Sequence, residues 1–347
     1  MKVLFLYQNR NLPSSRIRIF DLLPEIRKEG ILAAAEVYPR KLSEKFGLFR
    51  RLKGFDVIYL QKKLLSPFDA ALLRRFAGRL VFDFDDAIYY RDDSDASLIS
   101  RSRYLKFRNL ACNSDLLVAG NRILADYSRQ FNRNVAIVPS AVETRRVPLR
   151  DHDSRNETMV IGWIGGGGNL RHLATLSGVL TKLAQNHRFR VNIVSEGNVE
   201  IPGVETRAIP WTLDGQAGEV ARFDIGIMPL PRNKWTEGKC GYKALQYMAA
   251  GVPPVVSDVG VNGDIVTDGR EGFVVSGDKG FYDALAALMT DENLRRRFGH
   301  NARRKVEKSF SVNVVGKKLA DILKTGINVA VANKYPESPE GVPENGL

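Results

Sequence analysis

Short apolar runs alternate along this chain with stretches whose apolar positions recur every three or four residues. Val3-Leu4-Phe5-Leu6-Tyr7 is such a run, and a polar segment, Gln8 to Arg16, follows it. Ile17, Phe20, Leu22, Leu23 and Ile26 then mark one face of a helix. The pattern repeats with an apolar run at 56–60, a helical stretch from Phe68 to Phe76 and a run at 80–84. Leu116 to Ala119, a helix around Arg122 to Phe131 and Val135 to Val138 complete the first part. Such alternation predicts βαβ units and a parallel sheet covered on both faces.

Past Pro148 the periodicity stops, and residues 149–157 are polar. They read as an interdomain linker. The pattern restarts with a strand from Met159 to Ile164, a loop from Gly165 to Gly168 and a helix from Leu170 to Leu183. Later strands are expected at 190–195, 224–228, 252–257 and 272–275, with helices at 242–250, 281–288 and 292–309. A helix from Val312 to Ile327 precedes a Pro/Gly/Glu-rich tail expected to be disordered. The fold class is α/β, two Rossmann-like doubly wound domains facing across a cleft. The expected boundaries are a first domain over 1–148, a linker over 149–158, a second domain over 159–310, a helix over 311–328 and a tail over 329–347.

Charge adds a division between the halves. The 347 residues carry a net +13, and 28 basic against 16 acidic side chains fall in residues 1–150. The remainder is nearly balanced, so the first domain is expected to face something anionic. At 44% hydrophobic the chain can fill two cores. Cys112 and Cys240 are too few and too far apart for a disulfide framework, which points to reduced thiols and a cytoplasmic setting. No apolar run approaches the ~20 residues of a membrane span, and Lys2 to Tyr7 is too short for a signal peptide.

Three segments carry candidate chemistry. In the loop Gly165, Gly166, Gly167, Gly168, Asn169, backbone can approach a phosphate at a helix start, with Arg171 in the next turn; the alternative is a tight βα turn that binds nothing. The spacing is neither a P-loop nor a dinucleotide fingerprint. Glu237, Lys239 and Lys243 cluster before and within the next helix, where lysine opposes the dipole unless an anion is present. In the first domain Ser14, Ser15, Arg16 and Arg18 are placed to hold a phosphate or an acceptor, or simply to cap a helix. Asp83, Asp85 and Asp86 end a strand; a helix cap or a contact to an acceptor hydroxyl is preferred there over a metal. His172 has a reading as a phosphate neighbour, with an ordinary surface histidine as the simpler alternative.

Leu245 to Gly260, reading LQYMAAGVPPVVSDVG, resembles the donor-site helix and strand of retaining family 4 glycosyltransferases with the GT-B fold. Val138 to Thr144 is similar to that family's strand end at the domain junction, and Asp268 to Phe273 to its Asp-Gly-x-x-Gly loop. The likeness runs over about residues 1–325 and is strongest from 116 to 310. It implies a divergent branch: Gln246 stands where the family places the second Glu of a Glu-x7-Glu pair, and Gly238, beside Glu237, at the first. Asn11 to Arg18 replaces the family's Gly-Gly loop.

The resemblance implies transfer of a sugar from a nucleotide-diphosphate donor to an acceptor hydroxyl in polysaccharide or glycolipid synthesis, retaining, without metal or cofactor. Glu237, Lys239 and Arg171 would be catalytic. Gly165, Gly166, Gly167, Asn169, Glu196, Lys243 and Gln246 would bind the donor, and the residues named in the first domain would face the acceptor. It also implies that the last helix crosses back to the first domain. Segment 40–53 mixes cations with Phe46, Leu48 and Phe49, an interfacial pattern expected to meet an anionic inner membrane leaflet; the alternative is a solvated basic helix. The rival classes are a GT-B-like binding module without catalysis and a basic nucleic-acid-binding protein, although no nucleic-acid motif is present.

Overall fold

The computed structural model describes residues 1–95, 97–152 and 157–326. The tail expected over 329–347, the end of the last helix and positions 153–156 of the linker lie outside the described residues.

The first sheet is built from β1 (Lys2–Tyr7), β2 (Leu32–Val37), β3 (Val57–Gln61), β4 (Arg79–Phe84), β5 (Leu116–Ala119) and β6 (Val135–Ile137). Their order is β2-β1-β3-β4-β5-β6, all parallel. The second contains β7 (Met159–Ile164), β8 (Phe189–Ser195), β9 (Glu205–Pro210), β10 (Ile225–Met228), β11 (Pro254–Ser257) and β12 (Phe273–Val275) in the order β12-β11-β10-β7-β8-β9, again parallel. Central strands are apolar on both faces because helices cover both; β3, for example, is buried throughout.

The last helix, Val312–Thr325, leaves the second domain and packs on the first. Val312, Val315, Leu319 and Leu323 share a core with Val3, Phe5, Ile19 and Ile26. Gly316 permits the contact, since a Cβ there would lie 2.7 Å from Cβ of Glu25.

Three expectations on helices change. The helix expected from Ile17 to Ile26 is a π-helical turn, Arg16–Phe20, followed by a separate helix, Leu23–Lys28. The helix expected over 170–183 breaks into Leu170–Ala174 and Ser177–Ala184. Segment 40–53 forms the helix Leu42–Leu52, but Leu48, Phe49 and Leu52 fill the domain core, leaving Leu42 and Phe46 as its exposed large apolar residues. Of the three apolar residues expected at an interface, Leu48 and Phe49 are therefore spent on the core and Phe46 alone faces outward.

Candidate functional site

Both sheets end at a shared cleft, where a cavity of about 450 Å³ opens between the domains. Ligands in open α/β sheets sit beyond the carboxyl ends of the strands, and this cavity lies there for both.

The second-domain wall begins where β7 ends. Gly165 turns beside two side chains: a Cβ there would lie 2.7 Å from Cε of Lys243 and 2.7 Å from the Trp163 ring. Gly165, Gly166 and Asn169 line the cavity. A three-ten turn, Gly167–Asn169, follows, and Gly167 faces Glu196 rather than the cavity. Opposite stands the helix Tyr242–Ala249, entered through Gly241 at φ +61°. That left-handed residue reverses the chain, so that Lys239 before it and Lys243 after it both reach the cavity.

The two ammonium groups are held by rings rather than by acids. Lys239 Nζ lies 5.5 Å from the Trp235 centroid and Lys243 Nζ 5.6 Å from that of Trp163. Among the described residues neither makes an ion pair. Burial, and then the proximity of Lys239, push the Lys243 ammonium down to about 7. Such a wall of unpaired cations, glycine backbone and helix start suits an anion.

At its far end Gln216 Oε1 accepts from Trp211 Nε1 at 3.3 Å and from Gln246 Nε2 at 3.0 Å. With its NH2 turned to Gln216, Gln246 has its carbonyl oxygen left to accept a ligand hydroxyl. Glu196 and Trp211 complete this end.

The first-domain wall carries Asn11, Ser14, Arg16, Lys62, Asp85 and Asp86. Lys62 sits at φ +54°, the one positive-φ non-glycine among the described residues. Its amide donates to Asp83 O at 2.7 Å, while its ammonium pairs with Asp85 at 2.9 Å and with Asp86. Against the upward push of burial, Lys62 holds the Asp85 carboxyl below the usual carboxylate range. Neighbouring Cys240 donates its thiol to Asp85 O at 3.1 Å, and burial pushes that thiol up to about 12, so it is no nucleophile at neutral pH.

Several expected site residues stand elsewhere. Arg18 and Asp83 do not reach the cavity: they form a fully buried pair, with Arg18 also donating to Val138 O at 2.5 Å. Ser15 is buried and donates to Gln61 at 3.3 Å; it precedes the turn Arg16–Phe20 but its side chain makes no capping hydrogen bond there, and Ser14 lies inside the turn that Pro13 begins. Arg171 points across to the first domain, pairing with Asp92 at 2.7 Å and with Asp93. His172 is buried rather than on the surface, its Nε2 2.8 Å from Asp93. Glu237 faces Arg232 at 3.7 Å, away from the cavity. Arg18, Asp83, Ser15, Arg171, His172 and Glu237 are thus each engaged by another group, and none of them lines this cavity.

The loop beside Glu237 instead docks on the first domain. Asn121, whose Oδ1 caps the Arg122–Arg129 helix, donates from Nδ2 to Gly238 O at 3.0 Å and Lys239 O at 3.3 Å. Sequence reasoning missed Asn121, Lys62 and Gln216. The Asn before an amphipathic helix was the available signal for the first; Lys62 and Gln216 carried none, because their roles depend on which strands and helices become neighbours.

Residues 224–305 match the family described as Glycosyl transferases group 1. Over 89 residues the chain is 34% identical to the capsular polysaccharide biosynthesis glycosyltransferase CapM of Staphylococcus aureus, a match spanning 24% of this chain and 23% of that protein. Its fold is similar to that of sucrose-phosphate synthase from Thermosynechococcus elongatus (TM-score 0.74, 13% identity, 93% of this chain and 98% of that one). It is also similar to Anabaena HepE in complex with UDP and glucose (TM-score 0.72, 14% identity, 94% and 100%). The chain thus has the GT-B fold of these structures, and its residues 224–305 match the glycosyl transferases group 1 family.

Proposed function

We propose that this protein transfers a sugar from a nucleoside-diphosphate donor to an acceptor hydroxyl during synthesis of a cell-envelope polysaccharide or glycolipid. The observation that carries this reading is the pair Lys239 and Lys243, without carboxylate partners and facing the Gly165–Gly166 turn at a helix start. A diphosphate is the anion whose size and charge suit that wall. The likeness to CapM supports the envelope role, and the fold shared with a UDP-bound protein supports the donor class.

In this reading the diphosphate lies between Gly165, Gly166, Lys239 and Lys243, the ribose meets Gln246, and the base faces Trp211 and Glu196. Charge that develops on the departing diphosphate is met by preorganised ammonium groups and by the amides of the helix start, so protein cations do the work of a metal. The acceptor enters against Ser14, Arg16 and Asp86, and its hydroxyl is held on the sugar's reacting face by position. Retention of anomeric configuration follows from the resemblance to family 4. The reaction takes place in the cytoplasm, at the inner membrane face if the acceptor is lipid-linked.

Calorimetric titration of UDP- and GDP-sugars into the wild type and Lys239→Ala tests the donor site. One nucleotide class binds the wild type and binds the variant at least tenfold more weakly; no binding by any of them would sink the assignment. Gln246 in place of Glu favours a second reading, a donor-binding module without turnover. Consumption of the bound donor in the presence of a cell-envelope extract separates the two.

A further inference from the structure

Lys239 belongs to the second domain by sequence and to the first by packing. It lies between β10 and the helix Tyr242–Ala249, yet Trp235 and Cys240 on either side of it share the first domain's core with Phe84, Ala87, Tyr89 and Leu124. Gly238 rests on the same wall, since a Cβ there would lie 2.7 Å from Cβ of Ala87. Gly120, just past the end of β5, leaves the room that the Cys240 sulfur occupies: an added Cβ would meet it at 2.5 Å.

Polar contacts close this socket. Asn121 is buried, and its Nδ2 donates to Gly238 O at 3.0 Å and Lys239 O at 3.3 Å, with Cys240 Sγ also 3.3 Å away. Its Oδ1 is occupied in capping, accepting from Leu124 N at 2.9 Å, so the amide group is held at both ends. The segment it grips is itself rigid. Asn233 Oδ1 accepts from the amides of Trp235 and Thr236 at 3.0 and 2.9 Å, and Lys239 N donates to Thr236 O at 3.1 Å. Arg122, next in sequence to Asn121, reaches Asp264 of the second domain at 2.7 Å. Asn121 itself does not line the cavity.

The charges explain why such a grip is needed. Lys239 stands close enough to Lys243 to lower its hold on a proton, and among the described residues neither has a carboxylate partner. Two ammonium groups so placed repel each other, and the four-carbon stem of a lysine has the freedom to carry its charge out to solvent. Trp235 opposes that escape by holding the Lys239 ammonium over a ring anchored in the first domain's core. Asn121 opposes it by fixing the backbone from which the stem leaves. We infer that Asn121 is a positioning residue of the donor site, acting through Lys239 to present a cation to the diphosphate. The first domain thereby sets part of the affinity for the nucleotide from outside the cavity. This role rests on the proposed donor site.

Asn121→Ser separates this role from helix capping, because serine keeps an acceptor for the Leu124 N–H but has no amide to reach the two carbonyls. Calorimetric titration of UDP and of GDP into the full-length wild type, Asn121→Ser, Lys239→Ala and the double variant closes a cycle. Asn121→Ser binds the nucleotide about fivefold more weakly than the wild type, near the net worth of one hydrogen bond. In the Lys239→Ala background the same change costs less than about twofold, since the residue it acts through is gone. Asn121→Thr, likewise a cap without the amide, gives the same pair of results and serves in place of serine should that variant fold poorly. An equal loss in both backgrounds is the mark of a plain structural residue and overturns the inference. So does a cap-preserving variant that binds nucleotide like the wild type. Both outcomes leave the donor site standing, whereas a wild type that binds neither UDP nor GDP removes that site and this role with it.

Discussion

Lys243 should take up a proton when a nucleoside diphosphate binds. In the free protein it is half-buried against Trp163, close to Lys239 and without an acid to pair with, and its ammonium is pushed down to about 7. A phosphate oxygen about 4 Å away contributes roughly 4 kcal/mol at an effective dielectric near 20, or about 3 pH units at 1.36 kcal/mol each. The bound-state value then lies near 10. At pH 8 the free lysine is about one-tenth charged and the bound one almost fully charged, so binding takes up about 0.9 proton. The sign follows: a value raised by the ligand makes binding strongest below pH 7 and weakens it by nearly tenfold per pH unit from about 8 to 10. Titrating UDP at pH 8 in buffers of different ionisation enthalpy measures this directly, since the slope of observed heat against buffer enthalpy is the number of protons. Lys243→Met should flatten both the slope and the pH dependence. A slope near zero for the wild type while UDP still binds would refute the reasoning, as would a methionine variant with the wild-type pH profile.

Other outcomes follow from the same geometry. Gln216→Leu frees the Gln246 amide from its orienting acceptor and should weaken UDP binding about tenfold, roughly one good hydrogen bond, and erase any preference for UDP over 2′-deoxy-UDP; calorimetry with the two ligands checks this. Gly165→Ala places a Cβ 2.7 Å from Lys243 Cε and 2.7 Å from the buried Trp163 ring; UDP affinity should fall by an order of magnitude, about 1.4 kcal/mol, with a lowered unfolding temperature from the displaced ring. Arg18→Met leaves Asp83 buried and uncompensated, so denaturant unfolding should show a loss of about 3–5 kcal/mol. The paired variant Arg18→Met/Asp83→Leu should recover much of it.

What the sequence made legible was set by burial. Central strands such as β3 and β7 are covered on both faces and announce themselves as apolar runs. The edge strands β2 and β9 were invisible: Leu32–Val37 and Glu205–Pro210 are half in solvent, and their residues alternate weakly. The same holds for the site. Lys239, Lys243 and the glycine turn could be found because loop, helix start and strand are contiguous in sequence. Lys62, Gln216 and Asn121 act across 20 or more positions, and only the packed fold reveals them. Asp83, Arg18 and Arg171 had suitable chemistry at suitable strand ends, but sequence alone could not show that each already has a partner.

The returning helix Val312–Thr325 also bears on how the chain is made. Val315, Leu319 and Leu323 complete the core that Ile19, Leu22 and Ile26 share with the sheet, so one face of the first sheet is only partly covered until the last helix arrives. At about 5–20 residues per second, synthesis of the intervening 142–325 segment takes roughly 10 to 40 s. During that interval the second domain can fold as a unit, while the first waits with an apolar face partly uncovered. The domain that begins the chain is thus the last to be finished, and a chaperone would find its surface there.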